Sequence, residues 1–243
     1  MHVFLALRRK IVAEVFLLAL FVTALGTVTV VFSAPPGSCI NIVIDPGHGG
    51  EDPGALDREG HEEEDINLAV ALYLADYLKA QGFNVILTRR YDTDYVLPKP
   101  FRKGKTKKRC DLDRRIALAV RHYASAYISL HVNTGRPSSR GAESYYHPKS
   151  LDSKILAESI QQELWSLPGM PKKKARPANY YLLSRTPMAS VIVEMGYLTN
   201  PVERRNLLNP AYQKQLAQAL SRGIVLYCQR KALRNVPTFC PAF

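Results

Sequence analysis

Cysteine is scarce in this chain, with four among 243 residues, and Cys39, Cys110, Cys228 and Cys240 are scattered without CxxC spacing. That excludes a structural zinc cluster of cysteines and a dense disulfide framework. Cys228 and Cys240 remain a candidate pair outside the cell. The missing aliphatic residue three positions before Cys39 argues against lipid attachment there. Neither GxGxxG nor the GxxxxGK[ST] lysine occurs, so Gly47, Gly49 and Gly50 do not form a nucleotide phosphate loop. No internal repeat is present. Acidic residues are the minority charge, 21 Asp and Glu against 33 Lys and Arg, and the resulting +12 points to an anionic neighbour. With 47% hydrophobic residues the chain is able to bury a substantial core, which excludes wholesale disorder.

Charge is almost missing from one long stretch. Arg8, Arg9 and Lys10 precede residues 11–34, whose only ionisable residue is Glu14, and residues 15–34 alone supply 20 uncharged, mostly apolar positions. That length spans a bilayer. The basic residues lie on its N-terminal side, so a cytoplasmic stub and export of everything after Ala34 are expected. The segment is a signal-anchor or a signal peptide. Phe32 and Pro35 make a poor cleavage context, which favours the anchor. Residues 1–34 are thus read as stub and membrane segment, 35–39 as a linker, 40–230 as one folded domain and 231–243 as a tail.

Beyond the linker, strands are expected at 40–45, 83–89, 126–132, 142–147, 180–184 and 191–194. Apolar residues at Ala69, Val70, Tyr73, Leu74, Tyr77 and Leu78 follow the helical period, which Gly82 ends. Further helices are expected at 111–124, with acidic residues in the first turn, from a Ser150 cap to about 167, and at 211–229. Strands alternating with amphipathic helices imply an α/β fold. The expectation is one three-layer domain, a largely parallel or mixed sheet of about six strands with helices on both faces, preceded by an N-terminal hydrophobic helix. Two basic stretches, residues 99–109 with seven Lys or Arg and the group Lys172, Lys173, Lys174 and Arg176, are expected to be solvated loops.

In open α/β sheets, sites collect beyond the carboxyl ends of strands. His48 follows the first strand in Asp45-Pro46-Gly47-His48-Gly49-Gly50, His131 closes the third in Ser129-Leu130-His131-Val132-Asn133, and Glu194 ends the sixth before Met195-Gly196. Two imidazoles with one carboxylate form a His₂Glu set, typical of a catalytic zinc site with an open fourth position. Glu62, Glu63 and Glu64, just before the helix expected near Asp65, offer that carboxylate, leaving Glu194 as a base. His61 is an alternative ligand, more consistent with exposure in a charged loop. His122 and His147 read as structural or exposed.

These motifs, together with Glu63-Glu64-Asp65-Ile66-Asn67-Leu68, Asp111-Leu112-Asp113-Arg114-Arg115 and Val193-Glu194-Met195-Gly196-Tyr197-Leu198-Thr199-Asn200, resemble the zinc-dependent N-acetylmuramoyl-L-alanine amidases. The match covers about residues 40–228. The resemblance implies one Zn²⁺ per chain with His48, Glu63 and His131 as ligands, Glu194 as the catalytic glutamate, and Asn133 as a residue that orients substrate. Glu64 stands where the family often has lysine, so the choice of Glu63 over Glu64 depends on register.

Implied too are a peptidoglycan substrate and hydrolysis of the amide between the lactyl group of N-acetylmuramic acid and L-alanine. The partners expected are the wall, the membrane through the N-terminal segment and anionic wall polymers. Nucleic acid is not expected, since residues 99–109 hold only Phe101 for stacking and follow an export signal. A short catalytic domain behind one anchor looks similar to the germination-specific amidases of the spore cortex. Only 62 residues separate His131 from Glu194, leaving little room for an added blocking helix. The alternatives are a zinc peptidase of other exported peptides and a catalytically silent wall-binding module.

Overall fold

A computed structural model gives the architecture, and the residues it describes are 40–93 and 106–234. The expected N-terminal hydrophobic helix, Cys39, Cys240 and basic residues 99–105 lie outside them. No helix among the described residues is long and apolar enough to cross a membrane.

Short β-branched and apolar runs form the strands β1 (Asn41–Pro46), β2 (Asn84–Leu87), β3 (Ala126–Asn133), β4 (Glu143–Tyr146), β5 (Arg176–Pro177) and β6 (Ala189–Tyr197). The helices are α1 (Glu63–Ala80), α2 (Lys107–Arg121), α3 (Leu151–Leu164), α4 (Tyr181–Arg185), α5 (Pro201–Leu207) and α6 (Pro210–Arg234). One sheet has the order β2-β1-β3-β6-β4-β5. Its first four strands are parallel, β4 runs antiparallel to β6, and β5 is parallel to β4. The sheet is mixed, as expected.

The period-2 alternation of strands divides the side chains between two faces. Ile42, Ile44, Ile128, Leu130, Val191 and Val193 enter the larger core, which α1, α3 and α6 cover. Val43, Tyr127 and Ile192 point the other way and pack with Ala119 of α2 and Leu182 and Leu183 of α4. Continuing those same rows toward the carboxyl ends brings Asp45, Ser129, His131 and Glu194 onto the thinner face. The functional residues thus sit where the covering layer is least complete.

Several boundaries differ from expectation. Residues 180–184 are not a strand: Tyr181–Arg185 is a helix, because Leu182 and Leu183 dock against α2 while Tyr181 donates its hydroxyl to Asp113 Oδ1 at 2.7 Å. The fifth strand is instead the two-residue β5. Helix α2 begins at Lys107, four residues early, with Thr106 as its cap accepting from Arg109 N, so its first turn is basic rather than acidic. Lys107–Arg109 are accordingly helical and not a loop. Helix α1 begins at Glu63, which places that residue inside the helix. Helix α6 runs through Arg234, past the expected boundary at 230. Helix α5 was not anticipated, although Asn200 caps it and Pro201 opens it, a recognised start signal.

Helices α3 and α6 meet closely at Gly223, where an added Cβ would lie 2.5 Å from Ile160 Cα. Gly223→Ala therefore forces the helices apart, and the urea midpoint is expected to fall by the equivalent of about 1–3 kcal/mol.

Candidate active site

The loop leaving β1 turns sharply. His48 has φ +64°, a left-handed conformation that costs a residue with a Cβ about 1–2 kcal/mol. Two buried arginines hold it there. Arg115 donates to Pro46 O at 3.0 Å and His48 O at 2.8 Å, and Arg89 donates to Pro46 O and Gly47 O, each at 3.1 Å. The carboxylate of Asp45 balances Arg115 at 2.9 Å and accepts from Thr88 at 2.6 Å and Ser129 at 2.7 Å. Gly47 lies flat against the His131 ring, leaving no room for a side chain.

His48, Glu63 and His131 converge from the loop after β1, from α1 and from β3, with one possible ligand atom from each lying within 4.8 Å of the others. The imidazoles are edge to face, 4.9 Å between centroids. Glu63 Oε1 is 3.2 Å from His48 Nε2 and 3.0 Å from His131 Nδ1. The glutamate is further fixed by Val132 N to Oε1 at 3.0 Å, Ala55 N to Oε2 at 2.9 Å, and Asn67. Burial opposes its ionisation, but the hydrogen bonds and charges of His131 and His48 hold it far below the usual carboxylate range. Asp52 lies 3.0 Å from His48 Nδ1, leaving Nε2 to face the cluster. A carboxylate behind a histidine that presents its other nitrogen is the common arrangement around a metal ligand, and the N,N,O donor set suits zinc.

Glu194 pairs with His131 across the β3–β6 register and is not a member of the cluster. Its Oε2 is buried without a hydrogen bond. Burial pushes its pKa up to about 7, with repulsion from Glu63 and Glu143 added and with His131 and His48 opposing. A cavity of 530 Å³ opens beside the histidines, bordered by Tyr180, Tyr181 and Ile192 and by Lys107 and Lys108 of α2. These lysines pair with Glu51 and, at 3.3 Å, with Asp52. The basic stretch therefore contributes to the site's wall. Of the two helices between His131 and Glu194, α3 packs on the far face and five-residue α4 borders the cavity.

The remaining candidates fall elsewhere. Glu64 is buried beside Asp92 and Arg89, and burial followed by Asp92 raises it to about 7. His61 bonds Asp57 at 2.8 Å in a loop whose carboxylates also meet Arg204. His122 and His147 are outside the cluster. Asn133 ends β3, half-buried, and its side chain accepts from Thr134 N at 2.8 Å.

Sequence reasoning did not assign Arg89, Arg115 or Asp52, and it missed Glu143. That glutamate pairs with Glu194 in the β4–β6 register. Burial works against its charge, but Tyr145, Lys173 and Tyr197 hold its pKa below the ordinary value, Lys173 at 3.1 Å. Lys173 is thus tied into the site's surroundings instead of a free loop.

Two imidazoles and two carboxylates gather at one end of the mixed sheet, a set suited to hydrolysis, and the chain belongs to the N-acetylmuramoyl-L-alanine amidase family, whose model matches residues 42–225. Among its relatives is the germination-specific N-acetylmuramoyl-L-alanine amidase of Bacillus subtilis, 37% identical over 78% of this chain and 80% of that protein. The CwlD amidase of Clostridioides difficile, solved in complex with the GerS lipoprotein, superposes with a TM-score of 0.74 at 32% identity, covering 79% of this chain and 99% of that one. The amidase AmiC2 of Nostoc punctiforme gives 0.69 at 33% identity over 79% and 99%.

Proposed function

We propose that this amidase cleaves the bond between the lactyl carbonyl of N-acetylmuramic acid and the nitrogen of L-alanine in peptidoglycan, with one zinc ion held by His48, Glu63 and His131. When bound, the ion supplies Lewis acidity toward the amide carbonyl and toward water. Glu194 carries the proton. A carboxyl titrating near neutrality is suited to accept one from the attacking water and return it to the departing nitrogen, which leaves as an amine only once protonated. Asp52 keeps His48 oriented, and Asn133, at the end of β3, orients the glycan-peptide. The observation that carries this reading is a carboxylate with an unpartnered oxygen standing next to, but outside, the two-histidine, one-glutamate cluster.

Export through the apolar N-terminal run is supported by the basic residues ahead of it, and retention of the catalytic domain on the outer side of the cytoplasmic membrane by the poor cleavage context at Phe32 and Pro35. The similarity to the germination-specific relative supports a role in spore cortex maturation. Incubation of the full chain and zinc with wall sacculi is expected to release stem peptides bearing a free L-alanine amino group, identified by mass spectrometry. A chelator should stop release and added zinc restore it. Binding of sacculi without product, or cleavage of plain dipeptides in place of the muramyl bond, overturns the reading.

A further inference from the structure

The end of the sheet opposite the active site gathers exposed apolar residues from separate elements. Asn41 opens β1, and there its side chain donates to His122 O at 2.6 Å while its carbonyl accepts from Ser125 N at 2.8 Å, which brings the end of α2 to this edge. Ala126 pairs with Ile42 and with Ala189. Next to Ala189, Ser190 N donates to Ser153 Oγ at 2.9 Å, which fixes the start of α3 at the same edge. Arg234 and Lys231 reach Asp152 at 3.1 and 3.5 Å, adding the end of α6.

On these three helix ends Tyr123 is 88% exposed, Leu233 66%, Leu151 58% and Val120 48%. Tyr123 has φ +50° just past the α2 cap, a position where glycine is usual, yet the chain places a solvent-facing aromatic there. Around them stand Arg121, Lys231 and Arg234, while Lys79 lies near the end of α1, whose following turn leads to Asn84 and its bond to Ile40 O at 3.2 Å. Asp152 is the carboxylate that two of these cations share.

We infer that this edge is a membrane-facing surface that docks on an anionic phospholipid bilayer. Two observations identify the occupant. The uncharged run of bilayer length ends at Ala34, and the five residues 35–39 that separate it from Ile40 reach at most about 18 Å. The edge where β1 begins is therefore the part of the domain kept nearest the bilayer. The chemistry also matches, since an exposed tyrosine and leucines on helix ends that also carry Lys and Arg is the composition that sits at a headgroup layer. Docked this way, the catalytic end of the sheet points away from the lipid and toward the wall. The inference rests on the anchored reading for its geometry, and its test separates the two.

The full chain is reconstituted into unilamellar phosphatidylglycerol vesicles, with and without brominated acyl chains. The single tryptophan, Trp165, lies just past the far end of α3, about 20 Å from Leu151, and serves as the distal reporter. In a Trp165→Phe background, Tyr123→Trp is expected to lose at least half its emission to bromine in phosphatidylglycerol and much less in phosphatidylcholine, while wild-type Trp165 is unaffected in both. Leu233→Trp, on another element, should report the same contact and covers a folding defect in the first variant. Gln at Arg121, Lys231 and Arg234 together should bring quenching down to the phosphatidylcholine value. Unquenched reporters at both positions, equal quenching of Trp165, or quenching indifferent to the three cations overturns the surface. Alkaline carbonate extraction tests insertion on its own: a chain that extracts fully fails the anchored reading, and the bromine experiment still decides the surface.

Discussion

Glu194→Gln is expected to abolish turnover while leaving the metal in place. Stem-peptide release from sacculi should fall by about three orders of magnitude, the middle of the range for losing a positioned acid-base group. Zinc content by metal analysis should stay at the wild-type level, because Glu194 lies outside the His48, Glu63 and His131 cluster. The substitution keeps the side chain's volume and removes its capacity to hold a proton. It also removes a buried carboxyl that is repelled by Glu63 and Glu143, so the unfolding midpoint should not drop. A variant that still turns over would take Glu194 out of the mechanism, and loss of zinc together with activity would make it a ligand.

The largest expected loss of stability follows Arg115→Ala. The guanidinium meets Asp45 at 2.9 Å and Asp111 at 2.7 Å, and donates to Pro46 O and His48 O. Removing it leaves the Asp45 carboxylate buried without its cation, a loss of about 3–5 kcal/mol, and releases the left-handed turn at His48. The urea midpoint should fall accordingly, and zinc affinity with it. The same pair makes a prediction for acid. Burial alone would raise the Asp45 pKa, but Arg115, Thr88 and Ser129 bring it from 3.8 to about 2. The folded value is below the unfolded one, so the contribution is complete above about pH 4 and is lost as pH falls toward 2. That difference corresponds to about 2 kcal/mol. Urea midpoints measured from pH 6 to 2 should fall by the equivalent of about 2 kcal/mol more in the wild type than in Arg115→Ala, where the limb that remains comes from other carboxylates such as Glu63 and Glu143.

Much of the fold was legible because its strands are short β-branched runs between amphipathic helices, and the motif residues fall at strand ends where α/β sheets place their sites. His48, Glu63 and His131 do converge, and Glu194 pairs with the last of these. What could not be read is informative in physical terms. Arg89 and Arg115 look like surface charges in a sequence, since their burial depends on carbonyls of a loop that only the folded chain brings to them. Glu143 reads as a polar strand position until β4 is seen to lie antiparallel beside β6, a pairing with no local signature. The segment at 180–184 was ambiguous for another reason. Its apolar and aromatic residues satisfy strand and helix alike, and contact with α2 decides between them.

The strand β5 has one further consequence. It is two residues long, ends the sheet, and one of those residues is Pro177. Proline lacks the amide hydrogen that a neighbouring chain would need, and so short a margin gives little template for cross-β growth. Crowded copies of this enzyme therefore have no open ribbon on that side along which to polymerise.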